Sequence, residues 1–297
     1  MISKALCLIF VAVVGLLASG PALAAKFTLH KNLAYAAHSE RNVLDLYLPE
    51  GVDTPPMLMW IHGGGWSEGS KDGPVGLMSF LDAGIGVAAM NYRFCPDAVW
   101  PAQLEDMRDA FAFLRGHAEE YGYDGTRLAV MGHSAGGQLA SVAGLAFAAD
   151  PETRLMAAVV YAGPSDFAAD EADRVAFAAA TGLSRPPPAM ASRSEACLIG
   201  GPVADNSDQA WRASPLSYLA ELPVDAELPA FLILQGARDT VVVPGQAGRL
   251  FDALLARAPK AELEFMLVPN AGHEGIRLEN AARMDLVAAF LRRNFDQ

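Results

Sequence analysis

The chain runs to 297 residues, of which 52% are hydrophobic and 19% charged, with a formal net charge of −12. That balance is globular, and its acidity excludes a nucleic-acid binder or a protein held to anionic membrane surfaces by charge. The length suits one large core domain; the 19 prolines and 27 glycines are spread along the chain, no repeat is visible, and neither a Gly-Lys-Ser/Thr phosphate loop nor a Cys/His cluster at metal-ligand spacing occurs.

Lys4, the apolar run Ala5 to Ala18 and the small residues around Ala22-Leu23-Ala24 have the layout of an export signal. The apolar run is shorter than the roughly 20 residues a bilayer-spanning helix needs. Residues 1–24 are therefore expected to be a cleaved signal peptide, placing the protein in the periplasm or outside the cell with no stable membrane insertion; a retained anchor is the alternative. Residues 25–297 are expected to form the single domain. Beyond the signal two cysteines remain, Cys95 and Cys197, and whether they pair or stay as buried thiols is left open by their number alone.

Strand patterns run from Phe27 to Tyr35 and from Asn42 to Leu48, the second alternating well enough for a position near a sheet edge. The apolar run Met57 to Ile61 predicts a buried strand that delivers the chain into His62-Gly63-Gly64-Gly65-Trp66. Three glycines in a row are entropically expensive. They suit a loop whose backbone N–H groups must closely approach a substrate oxygen. A helix over Val75 to Leu81, a strand over Gly86 to Asn91 and a long amphipathic helix from Ala102 to about Tyr121 follow.

Thr126 to Met131 predicts another buried strand, and Gln138 to Ala149 a helix; Gly132-His133-Ser134-Ala135-Gly136 joins them. Glycines on both sides of Ser134 permit a sharp strand-to-helix turn with the serine exposed at its apex; the bland alternative is a serine that merely caps the helix. A strand over Leu155 to Tyr161 comes next, and the alternation argues for a mainly parallel central sheet with helices on both faces. After this sixth strand the rhythm breaks. Residues 163–228 read as a helical, cap-like insertion over the sheet's carboxyl end. Regularity returns with strands at Ala230 to Leu234 and Leu263 to Val268, a helix over Gln246 to Ala256, and a closing helix from Glu274 to Phe295.

A serine hydroxyl is a weak nucleophile at neutral pH and needs a histidine to take its proton and an acid to orient that histidine. Asp239 lies just past one predicted strand and His273 just past the last, so both open at the carboxyl edge where Ser134 emerges. Taken singly, Asp239 reads as a turn residue and His273 as a helix cap; the coincidence of three such residues at three strand ends is what points to chemistry. Asp225 and Glu227 are alternative acids, but they precede the strand and lie at its amino end. His62 is read as shaping its own loop by hydrogen bonding, His133 as the variable residue of the turn motif, and His30, His38 and His117 as solvated.

The stretches Leu44-Asp45-Leu46-Tyr47-Leu48-Pro49, His62 to Trp66, Asn91-Tyr92-Arg93, Pro101-Ala102-Gln103 with Asp106, Gly132 to Gly137, Ser214-Pro215, Asp239 and His273 together resemble the α/β-hydrolase esterases that carry His-Gly-Gly-Gly. The similarity is to hormone-sensitive-lipase-like carboxylesterases and, through the opening Leu-Asp-Leu-Tyr-Leu-Pro, to bacterial acetyl xylan and feruloyl esterases. The resemblance implies an α/β-hydrolase fold and a serine ester hydrolase without metal or organic cofactor. It further implies Ser134 as nucleophile, His273 as base, Asp239 as its orienter, and the N–H groups of Gly64, Gly65 and Ala135 as oxyanion hole. The implied substrate is a small-molecule or polysaccharide ester. The residues themselves read as a narrow site for a short acyl group, roofed by loops bearing Trp66, and Trp100 or Trp211, while the insertion, broken by Asp170, Glu171, Asp173 and Arg174, lacks the apolar stretch of a lipase lid. The rival readings are an amidase, formamidase or peptidase of the same fold, and a binding protein that has lost the chemistry.

Overall fold

The computed structural model describes residues 26–188, 190–274 and 279–296; the expected signal peptide lies outside them. In chain order the elements are β1 (Phe27–Ala34), β2 (Val43–Pro49), β3 (Pro56–Ile61), α1 (Leu77–Asp82), β4 (Gly86–Met90), α2 (Ala102–Gly116), α3 (Ala118–Tyr121), β5 (Asp124–His133), α4 (Ala135–Ala146), β6 (Ala157–Tyr161), α5 (Asp170–Thr181), α6 (Met190–Ile199), α7 (Ser207–Ala213), α8 (Pro215–Glu221), β7 (Ala230–Gly236), α9 (Pro244–Arg257), β8 (Leu263–Val268) and α10 (Ala281–Phe295). The strands form one sheet in the order β1-β2-β4-β3-β5-β6-β7-β8. β2 runs antiparallel to both β1 and β4, and every later pairing is parallel.

Two apolar layers sandwich the sheet because side chains alternate faces along each strand. Met57, Met59 and Ile61 of β3 join Val130, Val160 and Ile233 under α2, α4 and α9. Leu58 and Trp60 of the same strand point the other way, with Met131, Val159 and Leu232 against Phe80 of α1 and Phe290 and Leu291 of α10. Strands buried on both faces must read as continuous apolar runs, which is how β3 to β7 read. Buried polar side chains interrupt this pattern at Gln235 of β7 and at Asp45 of β2, the latter met by the Lys71 ammonium at 2.8 Å and the Asn32 N–H at 2.7 Å.

The differences from expectation lie at helix ends. α4 starts at Ala135, not Gln138, because the glycines that read as turn form its first turn against the sheet. A Cβ on Gly136 would lie 2.2 Å from the Ile61 carbonyl oxygen, so only glycine lets the helix begin there. The long helix breaks after Gly116, and residues 118–121 form a separate turn. α10 opens at Asn280, whose side chain accepts the Arg283 N–H at 3.0 Å; part of its expected start, 275–278, lies outside the described residues. Between β6 and β7, α8 packs on α4 and α9 and so belongs to the helical layer, while α5 packs on α9. A disulfide joins Cys95, past β4, to Cys197 of α6 with Cα atoms 5.6 Å apart.

Candidate active site

β5 ends at His133 and α4 begins at Ala135, so Ser134 alone makes the turn, with φ 57° and ψ −121°. A non-glycine residue at that φ is strained. The strain is held by the Ser134 N–H on the Tyr161 carbonyl at 2.8 Å and the Gln138 N–H on the Ser134 carbonyl at 3.0 Å.

The other two strand ends are held to each other. β7 and β8 pair in register up to Gly236 and Val268, and beyond them the Ala237 N–H reaches the Val268 carbonyl and the Arg238 N–H the Ala271 carbonyl, both at 2.9 Å. This brings His273 Nδ1 to 2.7 Å from Asp239 Oδ2, and His273 Nε2 to 2.8 Å from Ser134 Oγ. Asp239 is fully buried. Its Oδ1 accepts the Val241 and Val242 N–H groups at 2.8 and 2.9 Å, and its Oδ2 also accepts Gln235 Nε2 at 3.0 Å. Four donors leave the carboxylate one orientation. Asp225 and Glu227 stand apart from this cluster, Glu227 in an ion pair with Arg154.

Opposite lies the glycine loop after β3. Gly64 has φ 109°, and a Cβ there would sit 2.2 Å from the Glu68 carbonyl oxygen, so a side chain is excluded on both counts. Among the described residues the N–H groups of Gly64, Gly65 and Ala135 have no acceptor, and Ala135 stands at the positive end of α4. His62 fixes the loop's entry: Nδ1–H donates to the Gly63 carbonyl at 2.7 Å, and the ring stacks on Tyr92 at 4.4 Å. Burial pushes its imidazole down to about 4, so it stays neutral at ordinary pH. Trp66 fixes the exit, its indole N–H donating to Gln138 Oε1 at 3.0 Å while Gln138 Nε2 donates to the Ala213 carbonyl at 2.7 Å.

These groups line a cavity of about 240 Å³ that holds Ser134, His273, Gly64, Gly65, Ala135 and Trp66, with Pro164, Ser194, Val241 and Val242 as its further walls and Glu68 and Glu274 as exposed acids. Trp100 and Trp211 are not among its walls. Trp100 is buried, donates to the Arg212 carbonyl and lines a separate cleft with Tyr218; Trp211 is exposed on α7. The roof comes instead from Ser194 on α6.

The charges that read as a polar break in the insertion are also placed otherwise. Asp170, Asp173 and Arg174 are buried. Arg174 pairs with Asp170 at 2.6 Å and donates to the Thr240 and Val241 carbonyls at 3.3 and 2.7 Å, so α5 grips the loop whose N–H groups hold Asp239. A charge on an alanine-rich helix gives no sign of burial. The i, i+4 spacing of Asp170 and Arg174 was the only signal. His133, at the variable position of the turn motif, donates from Nε2 to the His273 carbonyl at 2.8 Å.

A hydroxyl, an imidazole and a carboxylate in one hydrogen-bonded line, beside three unpaired N–H groups, can form and stabilise a tetrahedral adduct on a carbonyl carbon. The chain is similar to several known proteins. The probable carboxylic ester hydrolase LipM of Mycobacterium tuberculosis is 31% identical over 82% of this chain and 55% of its own length, and the esterase LipQ of the same organism 28% identical over 86% and 59%. The chain thus spans under two thirds of the length of these curated relatives. A solved structure described as a truncated form of carbohydrate esterase from gut microbiota is 26% identical, covers 94% of this chain and all of its own, and superposes with a TM-score of 0.78. Residues 44–254, from β2 through most of α9, match the sequence model of the BD-FAE family, and to that family of α/β-hydrolase-fold proteins this chain belongs.

Proposed function

We propose that the protein is a serine carboxylic-ester hydrolase working through an acyl-enzyme on short-chain acyl esters. The observation that carries this is the unbroken line Ser134–His273–Asp239 facing the free N–H groups of Gly64, Gly65 and Ala135 across one cavity. His273 Nε2 takes the Ser134 proton as Oγ attacks the ester carbon, and Asp239 holds Nδ1–H so that Nε2 is the free base. The oxyanion forms among the three N–H groups, each worth roughly 3 kcal/mol in transition-state stabilisation. His273 then gives its proton to the leaving alcohol, and water repeats the sequence on the acyl-enzyme.

The small cavity supports a small acyl group. Each methylene adds about 0.8 kcal/mol only where apolar wall receives it, and Val241, Val242 and Pro164 offer little such wall. kcat/KM on aryl esters is expected to peak at acetyl to butyryl and fall beyond six carbons or so. Acetyl or feruloyl groups on plant polysaccharide are the proposed natural esters, supported by the carbohydrate esterase among the structural neighbours. An oxidising, extracytoplasmic location is proposed with it, supported by the Cys95–Cys197 disulfide. The test is Ser134→Ala, expected to fold, to lose fluorophosphonate labelling and to keep under about a hundredth of the ester turnover. A folded variant with more refutes the reading, and activity rising steadily to long-chain emulsified esters refutes the acyl range.

A further inference from the structure

The imidazole one residue before the serine lies between the two loops that must meet for the chemistry. His133 Nε2 stands 2.8 Å from the His273 carbonyl oxygen. A carbonyl only accepts, so the proton is on Nε2, and the ring is a donor whether neutral or charged. Its other nitrogen faces the glycine loop: a Cβ on Gly63 would lie 3.4 Å from His133 Nδ1. The two imidazole rings are 4.8 Å apart between centroids.

His273 needs such a support. The hydrogen bonds of Ala271 and of Arg238 tie the loop to β7 and β8 as far as Ala271. For residues 272–274 no backbone-to-backbone bond is made among the described residues. The carbonyl of His273 is thus anchored by a side chain from β5, the strand that also delivers Ser134. One residue pair, 133 and 134, thereby fixes both the base loop and the nucleophile.

We propose that His133 is a positioning residue: its Nε2–H bond to the His273 carbonyl sets the base loop at the height that brings His273 Nε2 onto Ser134 Oγ. This rests on the reading of Ser134 and His273 as nucleophile and base. The charge of the ring matters as well as its proton. His273 becomes cationic in the transition state, and a second cation beside it would oppose that step. Burial, with the nearby His273, pushes the His133 imidazole below its ordinary range, while its own bond to the His273 carbonyl and then the charges of Glu274 and Asp239 pull it back up; His62, on the glycine loop, is neutral above about 4. The net lowering favours the neutral ring, which still donates from Nε2.

The experiment compares His133→Leu, which removes the donor, with His133→Gln, which keeps an N–H donor and cannot titrate. On 4-nitrophenyl acetate the leucine variant is expected to lose roughly 30- to 100-fold in kcat, the scale of an ångström's misplacement of a reacting group, with KM within about threefold. The glutamine variant is expected to recover to within about fivefold of wild type. Fluorophosphonate labelling of Ser134 should slow and recover in step with kcat. A folded leucine variant at wild-type kcat overturns the proposal, and so do folded leucine and glutamine variants equally impaired, since the ring's packing and not its donor would then matter. Should the leucine variant fail to fold, the glutamine variant decides alone: folded and more than 30-fold impaired, it refutes the donor role. Failure of the underlying reading would register separately, as Ser134→Ala retaining turnover.

Discussion

Replacing Asp239 by asparagine changes one atom and reverses a proton. In the wild type Oδ1 accepts two backbone N–H groups, from Val241 and Val242, while Oδ2 accepts Gln235 Nε2 and His273 Nδ1. The amide oxygen of the variant will take the Oδ1 place, because two fixed N–H donors face it, and the NH2 must then point at His273 Nδ1. A donor there demands a bare Nδ1, so the proton moves to Nε2 and His273 is no longer a base toward Ser134. The expected loss in kcat is on the order of 10⁴-fold, about 5 kcal/mol of barrier. Stability should fall much less. The donor-to-donor clash with Gln235 can be relieved by turning that amide, whose Oε1 has no partner among the described residues, though this gives up its bond to the Val242 carbonyl; a net loss of about 1–2 kcal/mol follows. The assay is kcat on 4-nitrophenyl acetate beside a thermal melt. A folded variant within tenfold of wild type would refute the orienting role of Asp239.

Gly64→Ala is expected to cut kcat by on the order of 10²–10³-fold, because at φ 109° with the Glu68 carbonyl 2.2 Å from the new Cβ the loop must shift and carry its N–H away; unchanged kcat would remove Gly64 from the oxyanion site. Glu195 on α6 is buried with neither carboxyl oxygen bonded among the described residues, and burial, with Asp170 next, pushes its carboxyl well above the usual 4.5. The folded state then binds a proton that the unfolded chain releases, so stability falls as pH rises above about 4.5. Glu195→Gln should raise Tm at pH 8 and match wild type near pH 4; a lower Tm at pH 8 would mean an ionised, paired carboxylate. Cys95→Ser should cost several kcal/mol, about 4–5 by chain entropy for a separation of 102 residues. It should broaden the acyl range, since the disulfide holds α6 and its Ser194 over the cavity. An unaltered chain-length profile would show that α6 is held by packing alone.

The sheet and the gathering of Ser134, Asp239 and His273 were legible because they follow from signals of short range. Continuous apolar runs such as Met57 to Ile61 mark doubly buried strands, and in a parallel sheet every strand exits at the same edge, so residues just past β5, β7 and β8 must gather. Helix starts were less legible for a physical reason. Gly136 reads as a breaker until the Ile61 carbonyl beneath it is seen, and that contact spans two strands with no trace in local sequence. The same holds for His133: at a nominally variable position, its partner is a backbone carbonyl 140 residues away, and backbone acceptors have no letter in a sequence.

The insertion shows how such hidden contacts bear on function. In the sequence Asp170, Asp173 and Arg174 look like a polar break in the insertion. In the fold Asp173 accepts Arg249 Nε at 2.8 Å and Gln246 Nε2 at 2.9 Å from α9, and Arg174 closes on the loop that orients Asp239. Opening α5 would uncover a fully buried guanidinium and break two carbonyl contacts that shape the acid's own donors, a cost of several kcal/mol for one ion. Under the proposed chemistry, a displacement of α5 would also disturb the loop whose N–H groups hold Asp239. α5 is therefore tied both to α9 and to the Thr240–Val241 loop, while α6, through Ser194, lines the cavity beside Val241 and Val242.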